Sequence, residues 1–206
     1  MKKHEPAAHA YDLERLIFFS DGVFAIVITL LVIELRPPAG WDFTYLTLWR
    51  AEWRALVGYA FSFLAVGTYW NLHRRVFRRI VHFHPSLVFF NLLLLGFVVL
   101  IPFGSALVVE GPREEPFVIL LVLFIAVGIA LTLLWGFAAL LRNLVEPRLA
   151  RRDRLALLGN LLAPPAQLGV LLVWTLCGSS GAWLVPIFLP VVLLQWVLKK
   201  RTGLQD

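Results

Sequence analysis

Five polar side chains interrupt long apolar runs of the chain: Asp21, Asn71, His73, Arg74 and Asn91. Their types suit two kinds of chemistry. A carboxylate flanked by amide, imidazole and guanidinium donors can clamp helices together. The same carboxylate can serve as a proton or ion ligand, and the residue types leave both readings open. Catalysis has weaker support. His82 and His84 flank an arginine cluster, where contact with lipid headgroups explains them. No metal-ligand spacing, nucleophile elbow or phosphate-binding glycine loop accompanies them. The expectation is a non-enzyme with no cofactor and no metal.

The elements that hold these side chains must be membrane helices. The chain has 206 residues, of which 60% are apolar and 16% charged. Its mean hydropathy is +0.80. A soluble domain of this size is nearer half apolar and a quarter charged. The net charge is +6, but the basic residues cluster between uncharged runs, which marks membrane loops rather than a nucleic-acid surface. A single cysteine, Cys177, excludes a disulfide framework. The polar opening MKKHEPAAHAYDLER does not read as a signal-peptide core.

About 20 apolar residues cross ~30 Å of hydrocarbon. That length fits residues 16–35, 55–73, 86–109 and 116–141. Residues 155–198 are free of charge but too long for one span, and Gly178-Ser179-Ser180-Gly181 divides them into spans 155–177 and 182–198. The expected fold is an all-α integral membrane protein, a single six-helix domain over residues 1–206. Fifteen of the nineteen Lys and Arg residues then fall on one face, leaving Arg36, Arg50, Arg54 and Arg113 on the other. The positive-inside rule puts the basic face, and both termini, in the cytoplasm of a cell-membrane protein. Trp41, Trp49 and Trp53 mark an amphipathic segment on the outer surface, and Pro164, Pro165, Pro186 and Pro190 predict kinks in spans five and six.

In span one, ~100° per residue separates two faces. Phe19, Gly22, Ile26, Thr29, Leu30 and Ile33 share a stripe, and Asp21 lies about 140° from Ile26, on the back. Periodicity alone does not tell a pore wall from a packed core. Arg15 falls on the stripe side, where a ring of cations would oppose cation entry. The outer carboxylates Glu34, Asp42, Glu52, Glu110, Glu114 and Glu115 outnumber the outer arginines, a charge balance that attracts cations.

The run Arg15-Leu-Ile-Phe-Phe19-Ser20-Asp21 resembles the R-x-x-x-F-S-D opening of the transmembrane protein 175 family. Ser62-Phe63, Trp70-Asn71-Leu72-His73-Arg74 and Phe77 resemble its second helix, and Asn91-Leu92-Leu93 with Pro102-Phe103 its third. The resemblance covers residues 15–105. It implies a prokaryotic, potassium-permeable cation channel in which the first helix of each subunit lines the pore. It further implies a hydrophobic constriction at Ile26, Leu30 and Ile33, and a part for Thr29 in potassium preference. It places Arg15, Ser20, Asp21, Trp70, Asn71, His73 and Asn91 in a structural polar network. The motif occurs once in this chain, so a pore requires several copies around an axis, and the family's prokaryotic form implies a homotetramer. Expected partners are potassium and other monovalent cations, further copies of the chain and membrane lipids, without nucleic acid. The competing reading is a small secondary cation or proton-coupled transporter.

Overall fold

A computed structural model of the chain describes residues 5–36, 44–110 and 115–177. Among the described residues the architecture is all helical. α1 spans Glu5–Leu30 and tightens into a 3-10 turn at Leu31–Glu34. α2 is Tyr45–Phe77, α3 Pro85–Val98, α4 Ile101–Glu110, α5 Glu115–Gly136 and α6 Arg151–Leu176. A π-helical turn, Phe137–Leu141, ends α5.

α5 is the centre of the bundle. It packs on α6, α3 and α4 and touches α2. Its side chains are buried in register, including Leu120, Phe124, Val127, Leu131, Leu134 and Trp135. α1 sits at the edge, against α2 and α3. Its buried residues are Leu13, Leu16, Ser20, Phe24, Val27 and Leu31, a three-and-four spacing that makes one narrow stripe. Ile17, Val23 and Ile28 pack partly against the core, and Phe18, Phe19, Ile26 and Leu30 are left exposed.

Four helical stretches among the described residues are long and apolar enough to cross a bilayer: Ala10–Ile33, Pro85–Val108, Pro116–Leu141 and Arg151–Leu176. They overlap the expected spans one, three, four and five. Expected span two, residues 55–73, lies inside α2, whose Trp, Tyr, Asn, His and Arg content dilutes its apolar character. Expected span six, 182–198, with Pro186 and Pro190, lies outside the described residues, as does Trp41. Trp49 and Trp53 are not on a separate surface segment. They belong to the first turns of α2, which runs unbroken to Phe77.

Span three is built from two helices. α3 ends at Val98 and α4 starts at Ile101, because Pro102 has no N–H to return to the Val98 carbonyl. Span five contains Pro164 and Pro165, yet α6 continues through them. Pro165 is buried against Gly128 of α5. A Cβ placed on Gly128 would lie 2.8–2.9 Å from three carbons of the Pro165 ring. Small residues permit such approach where lipid supplies no hydrophobic drive between helices.

Two loops close the same end of the bundle. The turn after α2 and the segment after the π-helical turn meet in an isolated antiparallel bridge, Ile80 with Val145. The amides of Val81 and His82 both donate to the Leu144 carbonyl, at 2.9 and 3.1 Å, and the Glu146 amide donates to Arg79 O at 3.2 Å. Asn143 takes a positive φ of 52° to make this turn, a conformation asparagine tolerates better than most residues. Arg154 closes it from α6. Its guanidinium donates to Leu149 O and Ala139 O, each at 3.0 Å, and to Asn143 Oδ1. Its own carbonyl accepts the Trp135 indole N–H at 3.0 Å.

Candidate functional site

α1, α2 and α3 bring three buried polar side chains together. Ser20, His73 and Asn91 are each fully buried. The Ser20 hydroxyl donates to Leu16 O at 2.8 Å, one helical turn back. Its single proton is thereby used, so towards α3 it can only accept. Asn91 Nδ2 donates to Ser20 Oγ at 2.8 Å. This orients the Asn91 amide, and Asn91 Oδ1 faces His73 Nε2 at 3.0 Å. An oxygen accepts, so Nε2 carries the proton and His73 adopts the Nε2–H tautomer. Its Nδ1 is buried without a hydrogen-bond partner. Phe77 and Phe24 enclose the imidazole, with ring centroids 4.4 and 5.6 Å away.

Asp21 makes a separate contact. Trp70 of α2 donates its indole N–H to Asp21 Oδ1 at 2.8 Å. The Arg74 guanidinium lies over the Trp70 ring, 5.0 Å from its centroid. Asp21 thus holds α1 to α2, one residue from the Ser20 contact that holds α1 to α3. The other expected members stand apart within one chain. Arg15 is exposed and lies over the Tyr11 ring at 5.7 Å. Asn71 is half-buried, and none of the side-chain hydrogen bonds among the described residues includes it.

The stripe lies on the open side of α1. Ile26 is 59% exposed, Ile33 57% and Leu30 39%, while the intervening Phe24, Val27 and Leu31 are buried. Thr29 is exposed too, and its hydroxyl donates to Ile26 O at 2.8 Å. That bond consumes the proton and leaves the oxygen lone pairs free, as cation coordination requires. Apolar side chains and the Thr29 hydroxyl oxygen are what this face of α1 presents. Among the described residues no three His, Cys, Asp or Glu side chains cluster as metal ligands.

Sequence reasoning passed over three further contacts. Ser62 and Ser105 pair across α2 and α4 at 3.3 Å, and Tyr69 OH donates to Phe124 O at 2.8 Å. Arg154 clasps the loop after α5. Ser62 stood out only through the Ser62-Phe63 resemblance, Ser105 and Tyr69 lie in apolar runs, and Arg154 is one charge in a basic cluster.

A sequence model described as the endosomal/lysosomal potassium channel TMEM175 matches residues 15–102. A potassium channel of Streptomyces collinus is 31% identical over 176 residues, which is 77% of this chain and 82% of that protein. The chain belongs to the TMEM175 family. A human TMEM175, named an endosomal/lysosomal proton channel, is 26% identical over 205 residues, 94% of this chain but 40% of its own length. The bacterial relatives named as potassium channels, from Streptomyces collinus and Chamaesiphon minutus, are matched over 82% and 72% of their own length and mark the chain as a prokaryotic member. A crystal structure described as a lysosomal potassium-selective channel TMEM175 homolog from Chamaesiphon minutus is 25% identical, with a TM-score of 0.77 over 92% of this chain and 98% of that one. The apolar helices and the family together make this a multi-pass membrane protein.

Proposed function

We propose that the chain is one subunit of a potassium-permeable cation channel, with α1 of each of four copies lining a shared pore and the basic face in the cytoplasm. The observation that carries this reading is the two-sided character of α1. One stripe is buried and pinned by Ser20 and Asp21, while Ile26, Leu30 and Ile33 are left open. The relatives named as potassium channels add their support.

Four such stripes facing an axis make an apolar throat. A throat of this kind excludes water, and an ion that must shed its hydration is held back. A small rotation of α1 changes its width. The Thr29 oxygens, beside the Ile26 ring, replace part of the hydration shell and bias passage toward potassium. No long backbone-carbonyl filter is needed, and the selectivity is correspondingly modest.

Ion flux from purified protein in liposomes tests the proposal. Wild-type protein passes potassium better than sodium and excludes a large organic cation, and Ile26→Ala raises the leak. Unchanged flux in a normally assembled Ile26→Ala protein removes Ile26 from the constriction. Saturable flux without single-channel currents replaces the channel by a transporter. A proton gradient applied in the same liposomes shows whether protons share the route.

A further inference from the structure

The two loops stapled by Val81, His82 and Leu144, together with the ends of α2 and α6 that flank them, carry most of the basic charge of the described residues. Residues 74–84 and 142–154 contain nine arginines against two carboxylates, Glu146 and Asp153. Only Arg154 among the five of the second segment is spent on internal carbonyls. Arg78, Arg142, Arg148, Arg151 and Arg152 are exposed and Arg79 is half-buried. No described carboxylate pairs with any of these six.

The bridge between Ile80 and Val145 makes the two clusters one surface, although α3, α4 and α5 separate them in sequence. Apolar side chains stand among the guanidinium groups. Leu141, next to Arg142, is 77% exposed, and Val81, two residues after Arg79, is exposed as well. Guanidinium groups match phosphate oxygens. Apolar neighbours match what a phospholipid carries beneath its phosphate and a free phosphate ion lacks. We infer that the stapled loops form a single binding surface for the phosphates of anionic phospholipids. Charge clusters of this size at the end of a membrane helix attract such lipids. Here the bridge adds a shared geometry, so neither loop acts alone.

Native mass spectrometry of the full chain in detergent, titrated with phosphatidylglycerol or phosphatidylcholine, tests this. The wild type retains phosphatidylglycerol in preference to phosphatidylcholine, and glycerol phosphate at equal concentration does not displace it. Arg78→Gln/Arg79→Gln and Arg148→Gln/Arg151→Gln each weaken retention of the whole preferred population, by roughly 10- to 30-fold. Equal retention of the two lipids overturns the inference. So does displacement by glycerol phosphate, which would make the ligand a soluble phosphate. A variant that loses half of the preferred lipid and keeps the rest at wild-type affinity shows two independent sites and also overturns it. Should a glutamine variant fail to fold, the wild-type comparison of the two lipids and glycerol phosphate decides alone.

Discussion

Asn91 Nδ2 donates to Ser20 Oγ at 2.8 Å, and this one bond sets the orientation of everything behind it. Because Ser20 has already given its proton to Leu16 O, the Asn91 amide has one satisfactory orientation, and His73 one tautomer. Three helices are locked by a sequence of donors that cannot be reversed at any single step.

Asn91→Ala therefore strands the buried His73 Nε2–H and leaves Ser20 only its bond to Leu16 O. The loss of stability is about 1–3 kcal/mol, set by the unsatisfied group. It exceeds the ~0.6 kcal/mol average for hydrogen bonds between membrane helices. Thermal unfolding in detergent measures it. A midpoint equal to that of the wild type would show that water replaces the amide.

Asp21 and Trp70 form one interaction across α1 and α2. Asp21→Ala and Trp70→Phe should each reduce assembled protein, and the double variant should lose little more than the worse single. Simple addition of the two losses would separate the residues. Asp21→Asn keeps an acceptor for the indole, so its assembly stays near the wild-type level if the clamp rather than the charge matters.

Thr29 is exposed, so Thr29→Val leaves folding intact, within about 0.5 kcal/mol. Its effect falls on permeation: the potassium-to-sodium ratio drops towards one in liposome flux or bilayer recordings. A ratio unchanged in this variant frees the hydroxyl of any part in ion preference.

Gly128→Ala pushes a methyl group into the Pro165 ring. Overpacking at that contact costs about 1–3 kcal/mol, because the ring is fixed and cannot swing aside. Pro165→Ala in the same chain restores much of the loss. Two variants that destabilise independently would place the strain elsewhere on α5.

The features of the sequence that follow helical period were legible. The ~100° step separates Ile26 from Phe24 and Val27, and the structure leaves the first open and buries the others. The expense of polar groups in apolar runs singled out His73 and Asn91 at a common depth. What spacing along one helix does not carry is the azimuth of its neighbours. It therefore gave no means to see that Asn91 reaches Ser20 while Trp70 takes Asp21, or that Arg15 turns to Tyr11. The Ile80–Val145 bridge is a single residue pair with no periodicity to detect. Gly128 and Pro165 each look ordinary until the close approach of α5 and α6 is known.

The Leu144 carbonyl also constrains the order in which the protein is made. The amides of Val81 and His82 have no mate until the ribosome has delivered α3, α4 and α5. During that interval the nascent hairpin of α2 and α3 must wait at the water boundary with its turn hydrated, and translation of residue 144 is the earliest moment at which it can be latched.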